Sequence, residues 1–153
     1  MEVRIATLSD IESLCELYSE FFAYNADLQP EYYSVIKEIG DYPRSVITSS
    51  NADIFVAVEG ENAVGFFHIR QMQTPSFSSV VPHKYAEIID FMVTASHRKQ
   101  GIGSKLMEAA KQWSNTRSLD YIELMALTDA KEALQFYNQR GFATMSHIMR
   151  FSL

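Results

Sequence analysis

At 153 residues, with 47% hydrophobic and 21% charged residues, the chain has the size and balance of one compact domain with a buried core, which excludes a disordered or fibrous protein. Its formal net charge of −6 and the absence of a basic run argue against a non-specific nucleic-acid binder, and its apolar runs fall far short of the roughly 20 residues that span a bilayer. With one cysteine, Cys15, and no basic-then-apolar leader at Met1-Glu2-Val3-Arg4-Ile5, it reads as a cytoplasmic protein without disulfides, its acidic surface mildly favouring cationic partners such as amines.

No internal repeat or linker interrupts the chain, so residues 1–153 are read as a single domain. Residues 3–6 form a short opening strand. Ser9 with Glu12 three residues later fits a capping box, and Ile11, Leu14, Cys15, Tyr18, Phe21 and Phe22 then follow one helical face until the helix fades near Asn25. Pro30 opens a second helical stretch through Tyr33, Ile36 and Lys37, broken at Gly40 and Pro43, with Val46 and Ile47 in a short turn beyond. Residues 54–58 and 63–69 flank a polar turn, Glu59-Gly60-Glu61-Asn62, as an antiparallel hairpin. The proline- and serine-rich stretch 74–84 is a loop. A strand over 86–93, a helix over 102–116 with Leu106, Ala109, Ala110 and Trp113 inward, a strand over 121–127, a helix over 130–140 ended by Gly141, and a closing strand over 143–151 complete the order. Antiparallel early strands followed by a β-α-β crossover give a mixed α/β class.

The stretch that carries chemistry is Ile88-Ile89-Asp90-Phe91-Met92-Val93, a polar bend, then Arg98-Lys99-Gln100-Gly101-Ile102-Gly103-Ser104. A buried strand feeds a loop and a helix amino-terminus. Glycines at 101 and 103 let backbone approach a ligand closely, the unpaired amides of the first helical turn form an anion site, and Arg98 and Lys99 add positive charge. A phosphate or pyrophosphate is the expected guest. No Gly-x-x-x-x-Gly-Lys-Ser/Thr and no Gly-x-Gly-x-x-Gly is present, so neither a nucleoside-triphosphate loop nor a dinucleotide fold is supported. His68, His83, His97 and His147 show no metal-ligand spacing, so no metal is expected.

Arg98-x-x-Gly101-x-Gly103 after an apolar strand, with Ala133-Leu134-Gln135-Phe136-Tyr137-Asn138-Gln139-Arg140-Gly141-Phe142 downstream, resembles the GCN5-related N-acetyltransferase (GNAT) superfamily. The resemblance implies a mostly antiparallel sheet splayed between its fourth and fifth strands, with acetyl-CoA as cosubstrate in the splay. It implies backbone pairing of Phe91, Met92 and Val93 with the pantetheine arm, the Met92 amide polarising the thioester carbonyl. Residues Arg98, Lys99, Gln100, Gly101, Ile102, Gly103 and Ser104 would hold the pyrophosphate. By the same resemblance Tyr137 protonates the departing thiolate, Asp90 or Glu87 is the base, and the acceptor is a primary amine of a small molecule or a protein. Asp90 and Glu87 lie three apart on one strand, so they face opposite ways unless a bulge intervenes. Such proteins often carry an asparagine where this chain has Ala130, and homodimers are common among them. The rival readings are a CoA-binding sensor without turnover and an acetyltransferase of protein termini or lysines.

Overall fold

The computed structural model describes residues 1–153. In chain order the elements are β1 (Glu2–Ile5), a 3-10 turn (Leu8–Asp10), α1 (Ile11–Leu28), α2 (Tyr42–Ile47), β2 (Ala52–Glu59), β3 (Asn62–Gln73), β4 (Lys84–Val93), a second 3-10 turn (Ala95–His97), α3 (Ile102–Thr116), β5 (Ile122–Leu124) and α4 (Lys131–Asn138). The strands form one sheet in the order β1-β2-β3-β4-β5. Each pair is antiparallel except β4 with β5, which are parallel and joined through α3.

Strand alternation divides the apolar residues between the two faces of the sheet. Phe67, Ile69, Ala86 and Ile88 pack beneath α3 on Leu106, Met107, Ala110 and Trp113, with Tyr137 of α4 in the same cluster. On the opposite face Ile54, Val56, Phe66 and Met92 meet Leu14, Leu17 and Tyr18 of α1 and Val46 of α2. No helix is long and apolar enough to cross a membrane.

The brace at the start of α1 lies two residues earlier than Ser9 and Glu12 suggest. The Asp10 carboxylate accepts the Thr7 N–H at 2.7 Å, and both terminal nitrogens of Arg4 donate to its two oxygens at 2.8 Å. The Arg4 hydrogen bonds hold the Asp10 carboxyl down at about 2. A carboxyl lowered in the folded state contributes stability above its unfolded value near 3.8, and loses it as pH falls toward 2. Asp10→Asn is therefore expected to cost about 2 kcal/mol at neutral pH and nothing further at about pH 2, read by urea unfolding at both.

Three expectations fail for identifiable reasons. Residues 30–41 form no helix: Tyr32, Val35 and Ile36 are exposed, so no apolar stripe is buried to drive one. Helix α2 begins at Tyr42, and Pro43, read as a breaker, sits in its first turn, where a missing N–H costs nothing. The closing strand over 143–151 is absent; from Ala143 onward the chain makes no backbone hydrogen bond, and its apolar side chains stand in solvent.

Candidate active site

Pairing of β4 with β5 runs only from Ala86–Ile122 to Ile88–Leu124, while β4 continues to Val93. Past Ile88 the two strands part and a cleft of about 790 Å³ opens, walled by residues 88–93 and 124–127, by Phe136 and Tyr137 of α4 and Arg140 just beyond it, and by Phe21, Phe22, Tyr24 and Asn25 of α1. One edge of β4 is consumed by β3, in register from His68–Asp90 to Gly65–Val93. The Thr94 N–H donates to the Val64 carbonyl at 3.0 Å. Strict alternation then turns the amides of Met92 and Asp90 toward β3, and those of Phe91 and Val93 into the cleft. The group available at the splay is thus the Phe91 N–H, not that of Met92, whose side chain is buried beneath α1.

Register slips between His68 and Ile69, leaving Ile89 unpaired as a bulge. Ala86 and Ile88 lie on the α3 face before it, and Asp90 and Met92 on the α1 face after it. Glu87 and Asp90 consequently share a face. Their surroundings differ. Arg70 Nε donates to Glu87 Oε2 at 2.6 Å, and Glu87 does not line the cleft. Asp90 lines it, is 8% exposed, and lies 3.6 Å from His68 Nδ1, which is itself 3.0 Å from the Tyr42 hydroxyl. The buried Tyr18 hydroxyl has no hydrogen-bond partner; burial, with the Asp90 charge second, pushes its phenol well above the usual range. Burial likewise pushes Tyr42 up to about 12.

At the other end of the cleft, Gly101 caps α3 with φ of 81°, a left-handed conformation that side chains disfavour, and a Cβ there would meet nothing within 4 Å. The first bond of the helix ladder here is Lys105 N–H to the Gly101 carbonyl at 3.2 Å. The amides of Ile102, Gly103 and Ser104 are left without backbone partners. Gly103 serves differently from Gly101: a Cβ there would stand 2.9 Å from the Phe136 ring, so this glycine lets α4 close against α3. Arg98 Nε donates to the Val93 carbonyl at 3.0 Å, tying the loop to the end of β4. Lys99 adopts φ of 62° and extends into solvent, 3.6 Å from Glu132. Gln100 bonds the Ser96 carbonyl and does not line the cleft.

Tyr137 lines the cleft edge-on to Phe91 and Phe142, and burial alone pushes its phenol above the ordinary range. Ala130, at the amino-terminal cap of α4, presents only a methyl group to the cleft.

Over residues 11–142 the chain matches the Acetyltransferase (GNAT) family. The chain belongs to that family. An uncharacterised N-acetyltransferase of Archaeoglobus fulgidus is 29% identical over 138 residues, covering 90% of this chain and 89% of that one. The uncharacterised N-acetyltransferase YhfO of Bacillus subtilis is 24% identical, covering 100% of this chain and 97% of its own. Among solved structures, a Bacillus halodurans protein superposes with a TM-score of 0.93 at 22% identity, each chain covered in full. Aminoglycoside N-acetyltransferase AAC(6')-Iy in complex with CoA superposes at 0.75 with 11% identity, covering 99% of this chain and 98% of that one, a likeness of fold alone.

Within this GNAT acetyltransferase the fold brings Asp90, Phe91, Met92, Val93, Arg98, Lys99, Gly101, Ile102, Gly103, Ser104 and Tyr137 around one cleft, and leaves Glu87 and Gln100 outside it. Two further residues bear on the site. Arg140 stacks on the Phe136 ring at 3.6 Å, donates to the Phe136 carbonyl at 3.0 Å and bonds the Ser104 hydroxyl, placing a cation beside the α3 amino-terminus. Glu20 of α1 accepts from the Thr94 hydroxyl at 2.7 Å and the Ala95 N–H at 2.9 Å, pinning the loop that leaves β4. Its carboxylate is thus spent on the chain itself.

Proposed function

We propose that this GNAT acetyltransferase moves the acetyl group of acetyl-CoA to a primary amine by direct attack of the amine on the thioester. The observation that carries the reading is the free edge of β4 at Phe91 and Val93, which lies between an anion-binding helix start and a buried phenol. The outward amide of Val93 would receive the pantetheine arm as an added strand, and those of Ile102, Gly103 and Ser104 the diphosphate, with Arg140 and Arg98 beside them. Acetyl-CoA supplies an activated carbonyl; the new C–N bond replaces its C–S bond. The Phe91 N–H holds the carbonyl oxygen as it gains charge. Asp90 takes the proton that the ammonium sheds before attack; the nitrogen loses its second proton to solvent as the amide forms, and Tyr137 gives a proton to the departing sulfur and recovers one from solvent. Glu87, held by Arg70, keeps that arginine in place rather than acting as base.

A panel of primary amines, small and peptidic, assayed for thiol release tests this. The expected result is an acceptor-dependent rate. In Asp90→Asn, kcat/KM should fall about 10²-fold near neutrality, with the deficit shrinking toward about pH 10 as the free amine deprotonates without help. Tight CoA binding with no acceptor-dependent release from any amine would identify a binding module instead.

A further inference from the structure

The two faces of β4 divide the cleft. Phe91 and Val93 turn their side chains toward α3 and α4, where Tyr137 stands, while Asp90 and Met92 turn theirs toward α1. A donor held by the start of α3 leaves the α1 side for the acceptor. That side is walled by rings: Phe21 and Phe22 of α1, and Tyr33 in the turn beyond, all half-buried. Phe21 meets Phe66 edge-on at 6.4 Å and Phe22 stacks on Tyr18 at 5.8 Å, so core aromatics hold both rings from behind.

Charge on this side is sparse. Two carboxylates line the whole cleft, and one of them, Glu132, lies in the first turn of α4, 3.6 Å from Lys99 Nζ, at the diphosphate end. Asp90 is the other. The acidic residues Glu16, Glu20, Asp27 and Glu31 do not line the cleft, and Glu20 is held by Thr94 and Ala95. Arg98 sets its guanidinium 5.4 Å from the centre of the Tyr24 ring, which brings positive charge to the α1 wall. One ammonium therefore finds one carboxylate. A second cationic group on the same molecule would lie against rings without a partner, or near Arg98, and either is costly.

We propose, resting on the transferase reading above, that the acceptor is a small primary amine whose ammonium is its only positive charge and whose body is a flat apolar group. The body seats among Phe21, Phe22 and Tyr33 with its nitrogen at Asp90. Buried apolar area and ring-to-ring contact select that body over a polar one. The lone carboxylate selects one charge over several.

Thiol release from acetyl-CoA with three amines tests this. The amines are 2-phenylethylamine, ethanolamine, which keeps the ammonium without an apolar body, and spermidine, which adds charge. For 2-phenylethylamine kcat/KM should exceed that of ethanolamine by about 10²-fold and that of spermidine by about tenfold or more. Tyr33→Asp sets a second carboxylate at the rim. It should raise kcat/KM for spermidine about fivefold and lower that for 2-phenylethylamine, with KM for acetyl-CoA unchanged. Ethanolamine or spermidine used as well as 2-phenylethylamine would overturn the proposal and leave the transferase reading standing. An unchanged preference in a folded Tyr33→Asp would overturn it too; if that variant does not fold, the order of the three amines in the parent decides. If none of the three releases thiol, calorimetric titration of the CoA-loaded parent with each amine decides. Tighter binding of 2-phenylethylamine would uphold the ligand class while the transfer reading fails, and no preference would overturn both.

Discussion

Tyr137→Phe is expected to lower kcat about 10²-fold while changing the affinity for acetyl-CoA less than about threefold. The phenol sits in an apolar wall formed with Phe91, Phe136 and Phe142, so the ring's packing survives the substitution and only the hydroxyl is lost. Without it, sulfur must leave as an anion in a cleft whose walls are largely apolar, which is costly. Burial raises this phenol above its ordinary value of 10, so the protonated form persists at least to that pH. The sign follows: Tyr137 contributes no falling limb to kcat below about pH 10, and the phenylalanine variant should run parallel to the parent from about pH 6 to 9 rather than converge with it. Stopped-flow thiol release at saturating acceptor gives the comparison. A Tyr137→Phe enzyme with parental kcat would reduce Tyr137 to a packing residue.

The second large effect is expected at Gly101. Valine there must adopt φ near 81°, which costs a β-branched residue on the order of 1–3 kcal/mol, or else shift the helix cap. If the cap shifts, the amides of Ile102, Gly103 and Ser104 leave their common aim, and each charge-assisted bond to an anion is worth about 1.5–3 kcal/mol. Gly101→Val should therefore weaken CoA binding by about 10²-fold or more, with a loss in melting temperature set by that backbone strain, because nothing lies within 4 Å of the new Cβ. Gly103→Val should behave in the opposite manner. Its Cβ collides with the Phe136 ring, so α4 must move and thermal stability should drop along with binding. Differential scanning calorimetry of the two variants separates a ligand-facing glycine from a packing one.

The residues themselves show which parts of this molecule were legible from sequence. Helix α3 matched its expected span because Ile102, Leu106, Ala110 and Trp113 recur at helical spacing and all become buried. The β2–β3 hairpin was equally plain, since its turn is polar and its flanks are apolar. The glycine-bearing start of α3 could be read because glycine spacing and helix ends act locally. The bulge at Ile89 could not be read, because nothing in an unbroken apolar run marks where the register slips; yet that slip puts Asp90 rather than Ile89 beneath α1 and decides which amides face the cleft. Arg140 stands in the downstream motif with no role assigned to it, and only the approach of α4 to α3 brings it to Ser104. The closing strand expected over 143–151 did not form, because an alternating pattern states that a strand needs a partner and not where that partner lies.

The most direct test compares acetyl-CoA with S-acetylpantetheine, which keeps the thioester and arm but lacks the diphosphate, by titration calorimetry against the parent protein and Gly101→Val. If backbone amides at the start of α3 hold the diphosphate, the shorter ligand should bind the parent at least about 10²-fold more weakly, and Gly101→Val should weaken acetyl-CoA while leaving S-acetylpantetheine nearly unchanged. Equal affinity of the parent for the two ligands, or an equal loss for both in Gly101→Val, would contradict the account.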